Sequence, residues 1–270
     1  MSYSKFKYVK VELIDFCLWI YLNNPTKGNS LSLDLIKELI DVLEQADIDK
    51  EVRCIVLSGE GKHFCSGGDV DLMIKQEGMF AGDSNQLREN YKKGIQKIPL
   101  CIQKMSTPII GMINGAAIGA GLDLACMCDI RIAEKTSKFG ETFVKLGLVP
   151  GIGGTFFLQR IVGFAKAMEM SLTAKVYDGE EAFKMGLVNI LCNKNDLIIE
   201  TKKIVEKIIS NAPIAVQLTK RAIVHAHKND LDSSLEMLSA FQGIAQRTED
   251  HIVGAKAIKN KQQNIDFKHQ

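Results

Sequence analysis

The sequence predicts an α/β fold in which a region of mixed strands and helices precedes an all-helical one. Strand-like and helical patterns alternate through about residue 195, and only helical patterns follow, at 196–210, 213–228, 231–247 and 249–262. Two strand–loop–helix units, at 54–74 and 109–128, each place small residues at the carboxyl end of a strand, where open α/β folds bind ligands. We therefore expect a core over 1–195 and a C-terminal helical region over 196–270.

The N-terminal third contains clear strand and helix patterns. Residues 7–22 alternate and then become apolar, which predicts two strands joined by a turn at Asp15 and Phe16. Ser32 is a suitable cap for a helix whose apolar residues recur on one face, from Leu35 to Leu43. The apolar run from Arg53 to Ser58 predicts a buried strand.

The middle of the chain alternates between short helices, strands and loops. A helix is expected at 70–74, a weakly patterned segment at 75–86, and a helix at 87–105 interrupted at Pro99. A strand at 109–113 leads into a small-residue loop, Asn114 to Gly121, and a helix from about Leu122. Further elements are expected as strands at 129–133 and 187–191 and helices at 155–162, 165–172 and 179–185.

Composition excludes several functional classes. The 270 residues are 46% hydrophobic and 24% charged, as in a soluble globular protein, and the net charge of +2 favours neither nucleic acid nor an anionic membrane as partner. No apolar run is long enough for a membrane span, and no signal peptide is recognisable. The seven scattered cysteines include no CxxC pair, which favours buried free thiols in a reducing compartment, the cytoplasm, over disulfides or a metal site.

The two small-residue loops indicate an oxyanion site. Backbone N–H groups can converge on a carbonyl oxygen only where the surrounding side chains are small, and they then stabilise negative charge that develops on it. The residues of this kind are Gly67, Gly68, Gly119, Ala120 and Gly121. The alternative is that they form tight turns and close strand–helix contacts. The similar placement of both loops favours a site.

Several motifs, in the same order, resemble the crotonase family, also called the enoyl-CoA hydratase/isomerase superfamily. They cover roughly residues 5–195 and are Asn24-Pro25 with Asn29-Ser30-Leu31, FCSGGD at 64–69, INGAAIGAGLDLACMCDIRIA at 113–133, FGETFVKLGLVPGIGGT at 139–155 and EEAFKMGLVNIL at 180–191. The resemblance implies a ββα-spiral core and a C-terminal helical trimerisation region. It also implies a homotrimer or hexamer and an acyl-CoA thioester substrate whose enolate is stabilised, with coenzyme A as part of the substrate and no other cofactor.

The resemblance assigns roles to particular residues. The oxyanion donors fall on the N–H groups of Gly68 and Ala120. Of the two glutamates that hydratases of the family use, the first falls on Asp123, one methylene shorter, and the second on Phe143, which cannot transfer a proton. Some isomerases of the family place an acid where this chain has Gly151.

The resemblance therefore implies hydration of a 2-enoyl-CoA to a 3-hydroxyacyl-CoA, with Asp123 as acid/base. Double-bond isomerisation, another lyase or decarboxylase reaction on the same platform, and non-catalytic binding of a CoA ligand remain alternatives. For Asp123 itself the alternative is an acid that only favours the helix dipole. The substrate-binding residues expected from the motifs are Phe64, Ser66, Gly67, Asp69, Gly119, Gly121, Phe143 and Gly147.

Other residues have simpler interpretations. We expect Glu141 to pair with Lys145 on a solvated face, although it is near enough to the empty acid position to reach the pocket. Asp69 is expected to cap a helix. The run GLVPGIGG at 147–154 lacks the features of a phosphate loop and is expected to be a turn that leads into a helix.

Two further interpretations concern the nucleotide part of the substrate. His63 is expected at the surface or against a nucleotide. Phe267 and Lys268 resemble residues through which a neighbouring subunit closes over the CoA nucleotide in this family.

Overall fold

The computed structural model describes residue 3, residues 6–262 and residues 265–270. Its strands are β1 (Val9–Ile14), β2 (Cys17–Leu22), β3 (Cys54–Gly59), β4 (His63–Cys65), β5 (Ile109–Ile113), β6 (Ala116–Ile118), β7 (Ile130–Glu134), β8 (Lys138–Gly140), β9 (Val176–Asp178) and β10 (Ile190–Cys192). Its helices are α1 (Leu33–Ile48), α2 (Val70–Lys75), α3 (Ser84–Lys93), α4 (Lys97–Ile102), α5 (Ala120–Met127), α6 (Gly154–Val162), α7 (Phe164–Thr173), α8 (Gly179–Lys184), α9 (Leu197–Ile209), α10 (Pro213–Ala226), α11 (Leu231–Ala245) and α12 (Glu249–Lys259).

The strands form two sheets. The six-stranded sheet has the order β1-β2-β3-β5-β7-β10, and the four-stranded sheet has the order β4-β6-β8-β9. The pairs β3/β4, β5/β6 and β7/β8 therefore each divide between the two sheets, and each pair is followed by a helix. The α/β class and the repeated ββα unit expected from the sequence are both present.

Local sequence explains the first elements. Asp15 and Phe16 both have positive φ, so the β1–β2 turn lies where it was predicted. The Ser32 hydroxyl accepts a hydrogen bond from the Leu35 N–H and caps α1. The predicted apolar face of α1 is buried in the main hydrophobic core.

The all-helical region begins at α9, and each of its helices ends within three residues of the predicted bounds. Pro213 begins α10, where its missing N–H costs no helical hydrogen bond. A smaller apolar cluster lies between the larger sheet and α9, with Trp19, Met112 and Val205 among its members. The division into two domains at residue 195 stays a prediction.

Two boundaries and two strands in the middle of the chain differ from the expectation. The break in the 87–105 helix lies at 94–96, between α3 and α4, and Pro99 lies in the first turn of α4, which tolerates proline. The loop expected from Asn114 contains β6, and His63 to Cys65 form β4. Helix α5 begins at Ala120 and not near Leu122. The missed strands are short and pair only with distant segments, so no local pattern indicates them.

No helix in the described ranges has the length and apolar character needed to cross a bilayer. All seven cysteines are free, and all except Cys101 are buried, as the sequence predicts.

Candidate active site

The two small-residue loops leave the same edge of the smaller sheet. Strands β4 and β6 are parallel neighbours, with Cys65 paired to Ala117, so their carboxyl ends lie side by side. A Cβ placed on Gly67 would lie 2.7 Å from the Ile118 carbonyl oxygen and 3.4 Å from the Ala120 nitrogen. Gly67 also has a φ of +94°, a conformation that L side chains rarely adopt. The loops therefore meet in space as the sequence analysis expected.

Both expected oxyanion donors are unpaired in the described part of the chain: neither the Gly68 nor the Ala120 N–H has a hydrogen-bond acceptor. Ala120 is the first residue of α5, so its N–H lies at a helix N-terminus that favours negative charge. Gly68 is partly exposed and lies beside Met73 and Phe80. Both N–H groups are therefore available to an acceptor, and their binding of one carbonyl oxygen between the loops stays a prediction.

Glycine is required at two places around the donors. Gly119 has φ +53° and ψ −121°, a combination open to glycine, and its N–H donates to the Gly140 carbonyl. A Cβ on Gly121 would overlap the Cys65 carbonyl oxygen, since it would lie well under 3.0 Å away. Helix α5 thus packs directly against the backbone of the first loop.

Two asparagine side chains brace the loops. The Asn29 amide donates to the carbonyls of Glu60 and His63, at 3.0 and 2.8 Å. The Asn114 amide donates to the Gly59 carbonyl at 2.7 Å and accepts from the Ser58 hydroxyl. The motif around Asn29 is therefore structural: it holds the β3–β4 connection in place.

Asp123 lies one turn into α5 and is completely buried. Burial raises the pKa of its carboxyl group well above the usual range, because the charged form loses its hydration. Glu141 and the Gly154 backbone N–H act in the opposite direction and lower this pKa, because both favour the charged form. A buried acid with a raised pKa, one turn beyond a free N–H donor, is typical of a proton-transfer site.

The expectation for Glu141 was wrong. Its side chain is buried, with 1% of its surface exposed, and it faces Asp123 and not Lys145. Burial and the neighbouring Asp123 carboxylate both raise the pKa of Glu141. The residue directly follows β8, which lies next to β6, so it reaches the same sheet edge as the oxyanion loops. The one signal in the sequence was that Glu141 lies two residues before Phe143, near enough to reach the pocket.

The remaining expected residues are placed as follows. Asp69 caps α2 by accepting from the N–H groups of Asp71 and Leu72, as predicted. Phe64 is fully buried in the main core, whereas Ser66 is exposed and donates to the Lys27 carbonyl.

The motif at 139–155 contains an aromatic side chain, Phe143, and a turn. The Phe143 ring lies 3.8 Å from where a Gly119 Cβ would be, beside the second loop. Gly147, exposed and with φ +67°, ends a short 3₁₀ helix, and the run 147–154 leads into α6 as expected.

The residues expected near the nucleotide lie at the surface or at the C-terminus. His63 is exposed at the start of β4. The Phe267 ring packs against Gly254, and its carbonyl accepts from the Arg53 guanidinium at 2.8 Å. The Lys268 N–H donates to Asp250. Their contact with a neighbouring subunit stays a prediction.

Within the described residues, no group of three or more His, Cys, Asp or Glu side chains is arranged to hold a metal ion. The chemical groups at this site are two backbone donors and a pair of buried carboxyl groups. Such a site suits acid/base chemistry on a carbonyl compound that passes through an enolate-like oxyanion.

Comparison with known proteins agrees with this class. The family model described as enoyl-CoA hydratase/isomerase matches residues 17–270. A crotonyl-CoA hydratase of Syntrophomonas wolfei is 35% identical, over 90% of this chain and 91% of that protein. A peroxisomal Delta(3,5)-Delta(2,4)-dienoyl-CoA isomerase of Arabidopsis thaliana is 32% identical, over 96% of each.

Solved structures show the same similarity in three dimensions. The crystal structure of an enoyl-CoA hydratase from Bacillus anthracis superposes with a TM-score of 0.90 at 32% identity, covering 98% of this chain and 100% of that one. The chain therefore belongs to the enoyl-CoA hydratase/isomerase family, and its fold is the ββα-spiral core that the resemblance implies.

Proposed function

We propose that this protein hydrates a 2-enoyl-CoA to a 3-hydroxyacyl-CoA. The observation that carries the proposal is the buried Asp123 carboxyl group, one turn beyond the free N–H of Ala120 in a helix whose Gly121 packs against the first loop. The names of the relatives support the substrate class, since the Syntrophomonas wolfei protein is a crotonyl-CoA hydratase. Coenzyme A enters as part of the substrate, and the proposed chemistry needs no other cofactor.

The proposed reaction uses two backbone donors and one carboxylate. The thioester oxygen accepts hydrogen bonds from Gly68 and Ala120, which stabilise the negative charge that develops as hydroxide adds to C3. The Asp123 carboxylate takes the proton from the attacking water and returns it to C2 of the enolate. Water is thereby added across the double bond and the carboxylate is regenerated. Loss of one such oxyanion donor typically costs about 3–4 kcal/mol in the transition state.

Double-bond isomerisation is the second candidate, and Phe143 is the observation that favours it. By the family resemblance, the second glutamate that hydratases use falls on Phe143, whose ring cannot transfer a proton to or from the attacking water. A single carboxylate suffices to move a proton between two carbons. The Arabidopsis thaliana relative is a dienoyl-CoA isomerase.

One experiment distinguishes these reactions. The purified protein is incubated with crotonyl-CoA and, separately, with a 3-enoyl-CoA, and the products are identified by mass spectrometry. Gain of one water by crotonyl-CoA supports hydration, whereas conversion of the 3-enoyl-CoA to an isomer of unchanged mass, without hydration of crotonyl-CoA, supports isomerisation. If the protein binds the members of a broad acyl-CoA panel but converts none of them, both hydration and isomerisation are wrong and the protein only binds CoA ligands.

We also propose that the chain forms a homotrimer or hexamer through its C-terminal helices. A groove of about 390 Å³ lies between α10 and α11 and is lined by uncharged side chains, among them Leu218, Ala222, Ile223, Leu238 and Phe241. Further apolar side chains are exposed nearby on α11 and α12: Leu231, Leu235, Ile244, Ile252 and Val253. Exposed apolar surface of this kind is typical of subunit contacts.

Leu238→Asp is expected to convert the assembly to monomers, because it places a charge in an apolar contact. Size-exclusion chromatography with light scattering measures the change, and Ser239→Asp adds the same charge to the neighbouring exposed position as a control. A wild-type protein that is monomeric, or an L238D protein with unchanged mass, would contradict the proposed interface.

A further inference from the structure

The carboxyl groups of Asp123 and Glu141 form a closed pair. A Cβ built on Gly154 would lie under 3.0 Å from both Asp123 Oδ1 and Glu141 Oε1, so the two oxygens converge on one point. None of the four carboxyl oxygens has a partner within ordinary hydrogen-bond geometry in the described part of the chain, and all four are buried. Two buried carboxyl groups so close together do not both carry charge, because burial and their mutual repulsion each disfavour a second negative charge.

The surroundings favour one negative charge on the pair. Gly154 is the first residue of α6, and Asp123 lies in the first turn of α5, so two helix N-termini face the pair. The thiol of Cys126, also on α5, is buried, and burial and then both carboxylates raise its pKa, so it stays neutral. Arg131, on β7, uses its guanidinium for the Leu187 and Cys128 carbonyls.

We propose that Glu141 is the second acid of this site: it is a positioning residue that shares one proton with Asp123 and so sets the protonation state of that carboxyl group. Protonated Glu141 donates its O–H to Asp123, which keeps Asp123 ionised and oriented as the base. Glu141 thereby replaces the acid that the family resemblance places at Phe143, and it lies two residues earlier along the chain. This inference rests on the proposed role of Asp123 as acid/base.

Two substitutions separate proton sharing from packing. Glu141→Gln keeps the shape and a permanent donor, its amide N–H, but removes the proton that titrates. We expect kcat at neutral pH to change by less than about tenfold, the usual cost of exchanging one donor for another. The alkaline decline of activity is expected to disappear, because in the wild type it comes from Glu141 losing its proton and placing a second charge beside Asp123.

Glu141→Ala removes the donor altogether. Asp123 is then buried with only the Gly154 N–H to favour its charge, so it stays protonated over a wider pH range. We expect kcat near neutral pH to fall about 100-fold and the acid limb of the pH profile to move to higher pH. Glu180→Gln, at an exposed acid in the first turn of α8, is the control and is expected to match the wild type. Wild-type pH profiles in both Glu141 variants would overturn the proposal.

Stability provides a readout that does not depend on turnover. Both carboxyl groups have pKa values raised above those of an exposed acid, about 4, so the folded state retains protons that the unfolded state releases. Their contribution to the free energy of unfolding is complete below about pH 4 and is lost as the pH rises through the raised values. As the pH rises from 5 to 9, the melting temperature of E141Q is therefore expected to fall less than that of the wild type.

The two readouts separate the possible failures. If Asp123→Asn is inactive but neither Glu141 variant changes a pH profile or the pH dependence of the melting temperature, the proton sharing is wrong and the proposed function stands. If the wild type turns over no acyl-CoA, the proposed function is wrong, and the melting temperatures alone decide the proton sharing. A constant difference between E141Q and the wild type at every pH would show that Glu141 only packs.

Discussion

Asp123→Asn is expected to lower kcat by about 10²- to 10⁴-fold, the usual contribution of a positioned acid/base group. Asparagine has nearly the same shape and stays neutral, so it fits the buried position, but it cannot accept and return a proton. KM is expected to change much less, because the proposal assigns binding of the thioester to the backbone N–H groups of Gly68 and Ala120. Steady-state kinetics on the substrate identified by mass spectrometry measures both quantities.

Asp34→Asn is the matched control for this prediction. Asp34 also lies in the first turn of a helix, α1, but it is exposed. If both variants retain wild-type kcat on every acyl-CoA that the protein converts, Asp123 is only a helix N-terminal acid that favours the dipole. Loss of activity in Asp123→Asn together with loss of folding, seen by circular dichroism, would point to a structural role.

Gly121→Ala is expected to have the largest effect on the structure of the site. The added Cβ would overlap the Cys65 carbonyl oxygen, and the backbone of β4 cannot rotate away as a flexible side chain could. Helix α5 and the first loop must therefore separate, which moves the Gly68 and Ala120 donors apart. Overpacking of this kind costs about 1–3 kcal/mol or more, and we expect activity to fall along with stability.

Urea unfolding and steady-state kinetics measure the two effects of Gly121→Ala. The control is Gly243→Ala in α11, where a new Cβ meets nothing within 4 Å and alanine favours the helix by up to about 1 kcal/mol. The proposed close packing between α5 and the first loop is wrong if Gly121→Ala unfolds at the same urea concentration as the wild type and keeps its kcat.

Much of the candidate site could be predicted from local patterns. The apolar strands at 54–58 and 109–113 and the glycines after each strand placed both oxyanion loops. The acid at position 123, one turn into the next helix, was also visible. These features are local because a strand, a tight turn and a helix N-terminus each depend on a few consecutive residues.

The role of Glu141 could not be predicted in this way. Along the chain it precedes Lys145 by four residues, the spacing of an exposed ion pair, and that pattern was misleading. Its burial results from β8 pairing with β6 and from the packing of α6, which brings Gly154 against both carboxyl groups. Strand pairing between distant segments determines burial, and burial determines the protonation state of an acid.

The sequence by itself therefore determined the α/β class, the family resemblance, the two donor loops and the single acid Asp123. The tertiary structure alone decided that β4 and β6 lie side by side, that Asp123 is fully buried, and that Glu141 joins it. The physical reason is that donor geometry follows from local backbone conformation. The ionisation of a carboxyl group depends instead on which distant residues exclude water from it.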